Sequence, residues 1–289
     1  MVKSERAFIL PPTAPETSLV HQVALELLRA LQEDTTPATA AARERVGQLQ
    51  WEVRVIESDV ANAFVVPSGA VFVYTALLEQ LGTRGALAAV LGHELAHALE
   101  RHSVEKVGVL CVGSLLVEMA GGLFGPSGHA YLQRMLLPLL QGLVLDLPYS
   151  RSLEREADAL GLTLMAGAGY DPSEAVEAWR RMEAAAAASD DKAKPKKTQQ
   201  PWEEFLSTHP AHGSRIKALT AQLPAAERLR DAAVARKKQR GERVPDSGQP
   251  IVVSSSVVSK ARRRDMLAER RGSSAALAAR ASSLVVGFG

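Results

Sequence analysis

His93, Glu94 and His97 are the residues whose types and spacing could do chemistry. In His93-Glu94-Leu95-Ala96-His97 two imidazoles four residues apart share one face of a helix and can grip one metal ion, with a carboxylate between them. Neutral imidazole nitrogens are good zinc ligands, and a carboxylate beside the metal can take a proton from the attacking water. H-E-x-x-H therefore reads as the helix of a zinc hydrolase. The spacing predicts that helix from about Thr83 to about His102, with Leu87, Val90, Leu91, Leu95 and Leu99 recurring at helical intervals. A histidine pair on a surface helix would need no metal. Here both rings face a side crowded by apolar neighbours, where an unliganded pair would be poorly solvated.

A catalytic zinc takes three protein ligands and leaves one position to water, so a third ligand is expected downstream. A histidine in the pattern H-E-x-x-H-x-x-G-x-x-H is excluded, because Glu100 and Ser103 occupy the required positions and His102 falls one residue short. The better source is a second helix, opened by Ser150, with Leu153, Ala157, Leu160 and Leu164 on its buried face. It carries Glu154 and Asp158 one turn apart. That spacing lets Glu154 reach the metal while Asp158 accepts a hydrogen bond from a ligand imidazole and fixes its tautomer. Glu156 points away from both, roughly 200° around the helix.

With these residues in place the chain resembles the membrane-linked gluzincin peptidases that include the prenyl-protein protease Ste-twenty-four, the heat-shock protease HtpX and the mitochondrial Oma-type peptidases. The resemblance covers about Trp51 to Leu223 and rests on four blocks in order. These are Asn62-Ala63-Phe64 with Pro67-Ser68-Gly69, then Leu91 to His97, then Ser150 to Asp158, then Leu206-Ser207-Thr208-His209-Pro210 with Arg215-Ile216. The last block is most similar to the Oma-type branch, which works in the mitochondrial inner membrane in stress-activated protein quality control. The resemblance implies one Zn2+ per chain on His93, His97 and Glu154, with Asp158 as the supporting carboxylate, in agreement with the spacing argument. It implies proteolysis in which Glu94 is the general base that takes the proton and later delivers it to the leaving amine. His209 or Arg215 could donate to the developing oxyanion, and either could instead contact substrate or a regulator. In some relatives the His-Pro histidine approaches the zinc as a displaceable extra ligand, whereas a plainer reading makes His209 a helix-start residue before Pro210. His21, His129 and His212 read as surface or loop histidines and His102 as a satisfied structural one.

The expected fold is α+β, predominantly α-helical, a zincin-type metallopeptidase domain with a small antiparallel sheet. Trp51 to Ile56 alternates apolar and charged residues, and Ala63 to Val66 and Ala70 to Tyr74 flank the turn Pro67-Ser68-Gly69. Such a sheet can offer an edge to an extended substrate, or serve only as a packing layer under the metal helix. An amphipathic helix with Val20, Val23, Ala24, Leu27, Leu28 and Leu31 on one stripe is expected to pack on the catalytic part. The expected division is an N-terminal helical extension over 1–45, the metallopeptidase domain over 46–240 and a weakly ordered basic tail over 241–289, with a charged loop over 189–200.

Composition bounds the rest. A chain of 289 residues, 46% hydrophobic, can support one sizeable core, and a lone cysteine, Cys111, excludes internal disulfides. The net charge of +2 hides an asymmetry: from Ala225 onward 14 Lys and Arg face 6 Asp and Glu, so this end is +8 and the remainder −6. Without interleaved aromatic residues or a nucleic-acid-binding signature the basic end reads as a solvated tail, and no specific nucleic acid is expected. The first twenty residues match neither a signal peptide nor an Arg-rich transit peptide. Oma-type relatives carry an anchor and targeting segment before the catalytic domain, so either the gene model is truncated or the anchoring is peripheral. Val107 to Gly125 is just long enough to span a bilayer and Met135 to Leu147 is too short, but a spanning helix would put Glu118 in hydrocarbon at about 2.5–3.5 kcal/mol. A buried or interfacial helical hairpin is the alternative. The expectation is a metalloendopeptidase acting on protein or peptide substrates, membrane-associated and open to homo-oligomerisation. Its rivals are a chaperone-like protein on the same scaffold, a tethered scaffold using the basic tail, and a prenyl-protein processing protease, a branch that needs several spanning helices which this chain lacks.

Overall fold

Val20, Val23, Ala24, Leu27, Leu28 and Leu31 close one face of helix α1 (Pro15–Glu33) and lie buried in the centre of the molecule. The structure is a computed structural model and describes residues 9–121, 130–131, 133–136, 148–189, 203–209 and 213–253. Helix α1 opens on Pro15, whose missing N–H would lack an intrahelical partner in any case. A short helix α2 (Ala40–Val46) leads into three strands, β1 (Glu52–Ile56), β2 (Ala63–Val65) and β3 (Ala70–Tyr74). The sheet differs from the antiparallel one expected. β2 and β3 form the antiparallel hairpin, but β1 lies on the other side of β3 and parallel to it, in the order β1-β3-β2. The loop from β1 reverses the chain past the place that β3 fills on its return, and a strand returning between two opposed strands must parallel one of them. Gly69, at φ 99°, makes the hairpin turn, where a Cβ would meet the Gln50 carbonyl oxygen at 2.9 Å. Val55, Ala63, Val65, Val71 and Val73 face the core, while Phe64 and Phe72 stack across the strands on the other face at 4.9 Å.

After helix α3 (Thr75–Leu81) comes the helix that carries the motif, α4 (Arg84–Leu99), buried along its whole length. A helix apolar on all sides is one surrounded by protein. Its start is tied down three times. The Thr83 hydroxyl caps the Ala86 N–H, the C-terminal segment accepts hydrogen bonds from Arg84 N (Gln249 O) and Gly85 N (Ser247 O), and Arg84 reaches Tyr170 Oη and Glu26. Residues 247–251, expected to be weakly ordered, are thus held against the metal helix by main-chain bonds, and Ile251 N donates to Gly82 O. The helix ends at Arg101, whose φ of 59° stops the α-helix before α5 (His102–Gly121) begins.

Helix α6 (Pro148–Gly167) crosses α4 with the backbones in contact. A Cβ on Gly161 would lie 2.8 Å from His93 N, and one on Gly92 would lie 2.9 Å from Gly161 O. Only glycine at both places lets the two functional helices come this close. Helices α7 (Ser173–Ser189), α8 (Glu203–Thr208) and α9 (Gly213–Gln239) complete the shell. The loop expected over 189–200 lies almost wholly outside the described residues, as do the segments 122–129 and 137–147, His129, Pro210, His212 and the tail from 254 onward.

Candidate metal centre

The crossing of α4 and α6 brings His93, Glu94 and His97 against Glu154 and Asp158. His93 Nε2 and His97 Nε2 lie 3.1 Å apart, and Glu154 approaches both, with Oε2 3.3 Å from His93 Nε2 and Oε1 3.4 Å from His97 Nε2. His209, at the end of α8, adds its Nδ1 at 3.2 Å from both His93 Nε2 and Glu154 Oε2. One ligand atom from each of His93, His97, Glu154 and His209 falls within 4.8 Å of the others. Glu94 is buried beside this group, and His209 Nε2 stands 3.3 Å from its Oε1.

The donor set fits a divalent cation. The His93 and His97 Nε2 atoms converge at 3.1 Å, so that a cation could take both lone pairs where otherwise the two rings share one proton. The buried Oε1 atoms of Glu94 and Glu154 face His209 Nε2 at 3.3 Å and His97 Nε2 at 3.4 Å without a well-aligned hydrogen bond. Two imidazoles and a carboxylate form a catalytic zinc ligand set, and a nearby carboxylate that is not a ligand is the usual base. Burial alone would lower the pKa of His93, but hydrogen bonds to Asp158 and Glu154 outweigh it and lift the value to about 9. The same burial takes His97 down to about 3. Burial also raises Glu94 above the usual carboxylate range, as suits a group that must accept a proton at neutral pH. It would raise Glu154 too, yet the imidazoles of His209, His93 and His97 that face it hold that carboxyl well below its ordinary value.

The supporting carboxylate is itself supported. Asp158 Oδ1 lies 3.0 Å from His93 Nδ1, and Arg215 of α9 grips Asp158 with Nε on Oδ2 at 2.8 Å and Nη2 on Oδ1 at 2.7 Å. Burial pushes Asp158 up, and the Arg215 and His93 bonds overcome it, leaving a pKa of about 2. Arg215 also lies 3.3 Å from Glu154 Oε2 and 3.7 Å from the Trp179 ring centroid, so its guanidinium is turned to the ligand carboxylates and an indole face. The sequence named Arg215 with an open role, and the structure places its guanidinium on the Asp158 and Glu154 carboxylates. Glu156 has a side chain 59% exposed, directed away from the ligands as the helix phase predicts. Two contacts escaped the sequence reading. Trp179 packs edge-on against His93 at 5.4 Å, and His102 Nδ1 sits 2.9 Å from His97 Nδ1. No motif marks Trp179. His102 sits beyond a helix break that no residue type announces.

A model of peptidase family M48 matches residues 27–223, more than half of the chain. Over 190 residues the chain is 34% identical to the mitochondrial metalloendopeptidase OMA1 of Homo sapiens, a match covering 64% of this chain and 35% of that protein. It is 38% identical over 186 residues to the OMA1 of Schizosaccharomyces pombe, covering 64% and 50%, and 31% identical over 223 residues to that of Saccharomyces cerevisiae, covering 76% and 60%. The matched part thus spans between about a third and three-fifths of the length of these relatives. The matched region contains both helices that carry the H-E-x-x-H pair and the Glu154 carboxylate, and with them the chain belongs to peptidase family M48.

Proposed function

We propose that this chain is a zinc metalloendopeptidase that hydrolyses peptide bonds of membrane or misfolded proteins in protein quality control. The observation that carries this reading is the buried convergence of His93, His97 and Glu154 beside a Glu94 carboxylate that burial makes more basic. These three residues would hold the metal. A bound zinc ion would polarise the scissile carbonyl and acidify the attacking water. Glu94 would take the proton from that water and return it to the leaving amine. Asp158, clamped by Arg215, would keep the His93 ring oriented. β2 is an edge strand packed above α4, and an extended substrate segment could add to it through main-chain hydrogen bonds, which fits broad sequence tolerance.

The location follows the relatives, whose names place them in mitochondria. No helix of the described residues is long and apolar enough to cross a membrane. Helix α5 nonetheless exposes Val104, Val107, Val112, Leu115, Leu116 and Met119, each more than half accessible, and this favours peripheral contact with a lipid surface. The test is metal analysis and casein cleavage by the purified full chain, with and without chelator. About one zinc per chain and chelator-sensitive cleavage support the proposal, and a protein that binds zinc but cleaves nothing would point to a chaperone-like role.

One ligand atom of His209 falls within 4.8 Å of those of His93, His97 and Glu154, so His209 could fill the position that a catalytic zinc leaves to water. This favours a displaceable fourth ligand that holds the enzyme idle over an oxyanion donor. His209→Ala should then raise basal cleavage. A fall in turnover at constant zinc would assign the oxyanion role instead, and no change in zinc content, basal rate or induced rate would leave His209 structural.

A further inference from the structure

We infer that His102 is a positioning residue for the metal centre: its Nδ1 accepts a hydrogen bond from the Nδ1–H of His97 and so holds His97 in the tautomer whose Nε2 lone pair faces the ligand cluster. The two Nδ1 atoms are 2.9 Å apart, with the rings at 77° and their centroids 4.9 Å apart. His97 Nε2 faces His93 Nε2 and Glu154, so in a neutral ring that ligates through Nε2 the proton must reside on Nδ1. The polar atom facing that proton is His102 Nδ1, which must then be the acceptor. The proton of His102 is left on Nε2, a buried atom 3.6 Å from the Glu156 carboxylate. Both imidazoles are thereby fixed in one tautomer each. His102 is only 1% exposed, which keeps water from competing for the bond.

The backbone explains how a residue outside the motif reaches this place. On an uninterrupted helix a side chain five residues on would lie roughly 140° around from His97, off its face. Arg101, at φ 59°, breaks the helix just before His102 and folds it back beneath His97, and Arg101 is held there by its Nη2 bond to Gln48 Oε1 at 2.8 Å. The two ligand histidines therefore have different supports. His93 leans on an ionised aspartate clamped by arginine, and His97 on a neutral ring.

This inference rests on the zinc-peptidase reading, and the experiment separates the two. In the 15N-labelled, zinc-loaded full chain, imidazole nitrogen NMR should show His97 protonated at Nδ1 and His102 protonated at Nε2. His102 carrying its proton on Nδ1 would overturn the assignment without any variant. Zinc affinity, measured against a competing chelator, gives a second readout. His102→Phe keeps a ring but has no acceptor and should weaken zinc about 10- to 100-fold. His102→Asn, whose amide oxygen can stand near the lost Nδ1, should recover most of that loss. Wild-type affinity in His102→Phe, or no recovery in His102→Asn, would refute the role while leaving the peptidase reading intact. A wild-type chain that holds no zinc would sink both.

Discussion

Helices α4 and α5 follow one another across Glu100 and Arg101 and are written in nearly the same apolar alphabet, yet they end in opposite surroundings. Every residue of α4 is buried, while α5 leaves six large apolar side chains between Val104 and Met119 more than half exposed. The difference lies in what meets each helix. α4 runs beneath β2 and between α1, α6 and α7, and its burial serves to hold two imidazoles and a carboxylate away from water. α5 meets little of the described protein, and among the described residues its apolar face is left uncovered. Hydrophobic content tells that a helix wants a partner, and the fold decides whether the partner is the protein itself.

The comparison breaks most visibly where α4 and α6 hold their charges. Replacing Arg215 with leucine strips the paired donors from Asp158 and leaves a buried carboxylate without its clamp, and should cost about 3–5 kcal/mol in urea unfolding. A loss under about 1 kcal/mol would mean that water reaches the centre and that α4 is less enclosed than its burial indicates. Next in size is Gly161→Ala. Its new methyl would press on His93 N at 2.8 Å, and forcing the helices apart should cost about 1–3 kcal/mol and lower zinc affinity together with stability. Stability falling without any change in zinc affinity would uncouple the crossing from the metal centre. The smallest effect on folding is expected on α5. Val112→Glu with Leu116→Glu should change stability by no more than about 0.5 kcal/mol per site, because neither side chain is buried, yet should reduce co-sedimentation with phospholipid vesicles. Unfolding by this pair would show that α5 is covered by protein, and undiminished vesicle binding would place the membrane contact elsewhere.

The parts that were legible in the sequence are those whose signal is local. That His93, His97 and Glu154 come together could be read because helix periodicity fixes which side chains share a face, and the stripe on α1 was readable for the same reason. The parallel placement of β1 was hidden, since strand periodicity says which face is buried but not which neighbour a strand takes. The turn of Arg215 toward Asp158 depends on a contact between α6 and α9 that no spacing encodes. The hold of residues 247–251 on the start of α4 was concealed by a Gly- and Ser-bearing composition that reads as loose chain, although its carbonyls are what the helix N-terminus needs. His102 was read as a satisfied structural residue, and its approach to His97 was hidden because it depends on a positive φ at a non-glycine residue.

The most direct test of the peptidase account compares wild type with Glu94→Gln in the same preparation, measuring bound zinc and casein cleavage together. The amide keeps the shape of the side chain but cannot accept a proton. The account predicts equal zinc content, equal thermal stability and a turnover lower by about 10²- to 10⁴-fold. A Glu94→Gln protein that cleaves casein at the wild-type rate with its zinc in place would contradict it.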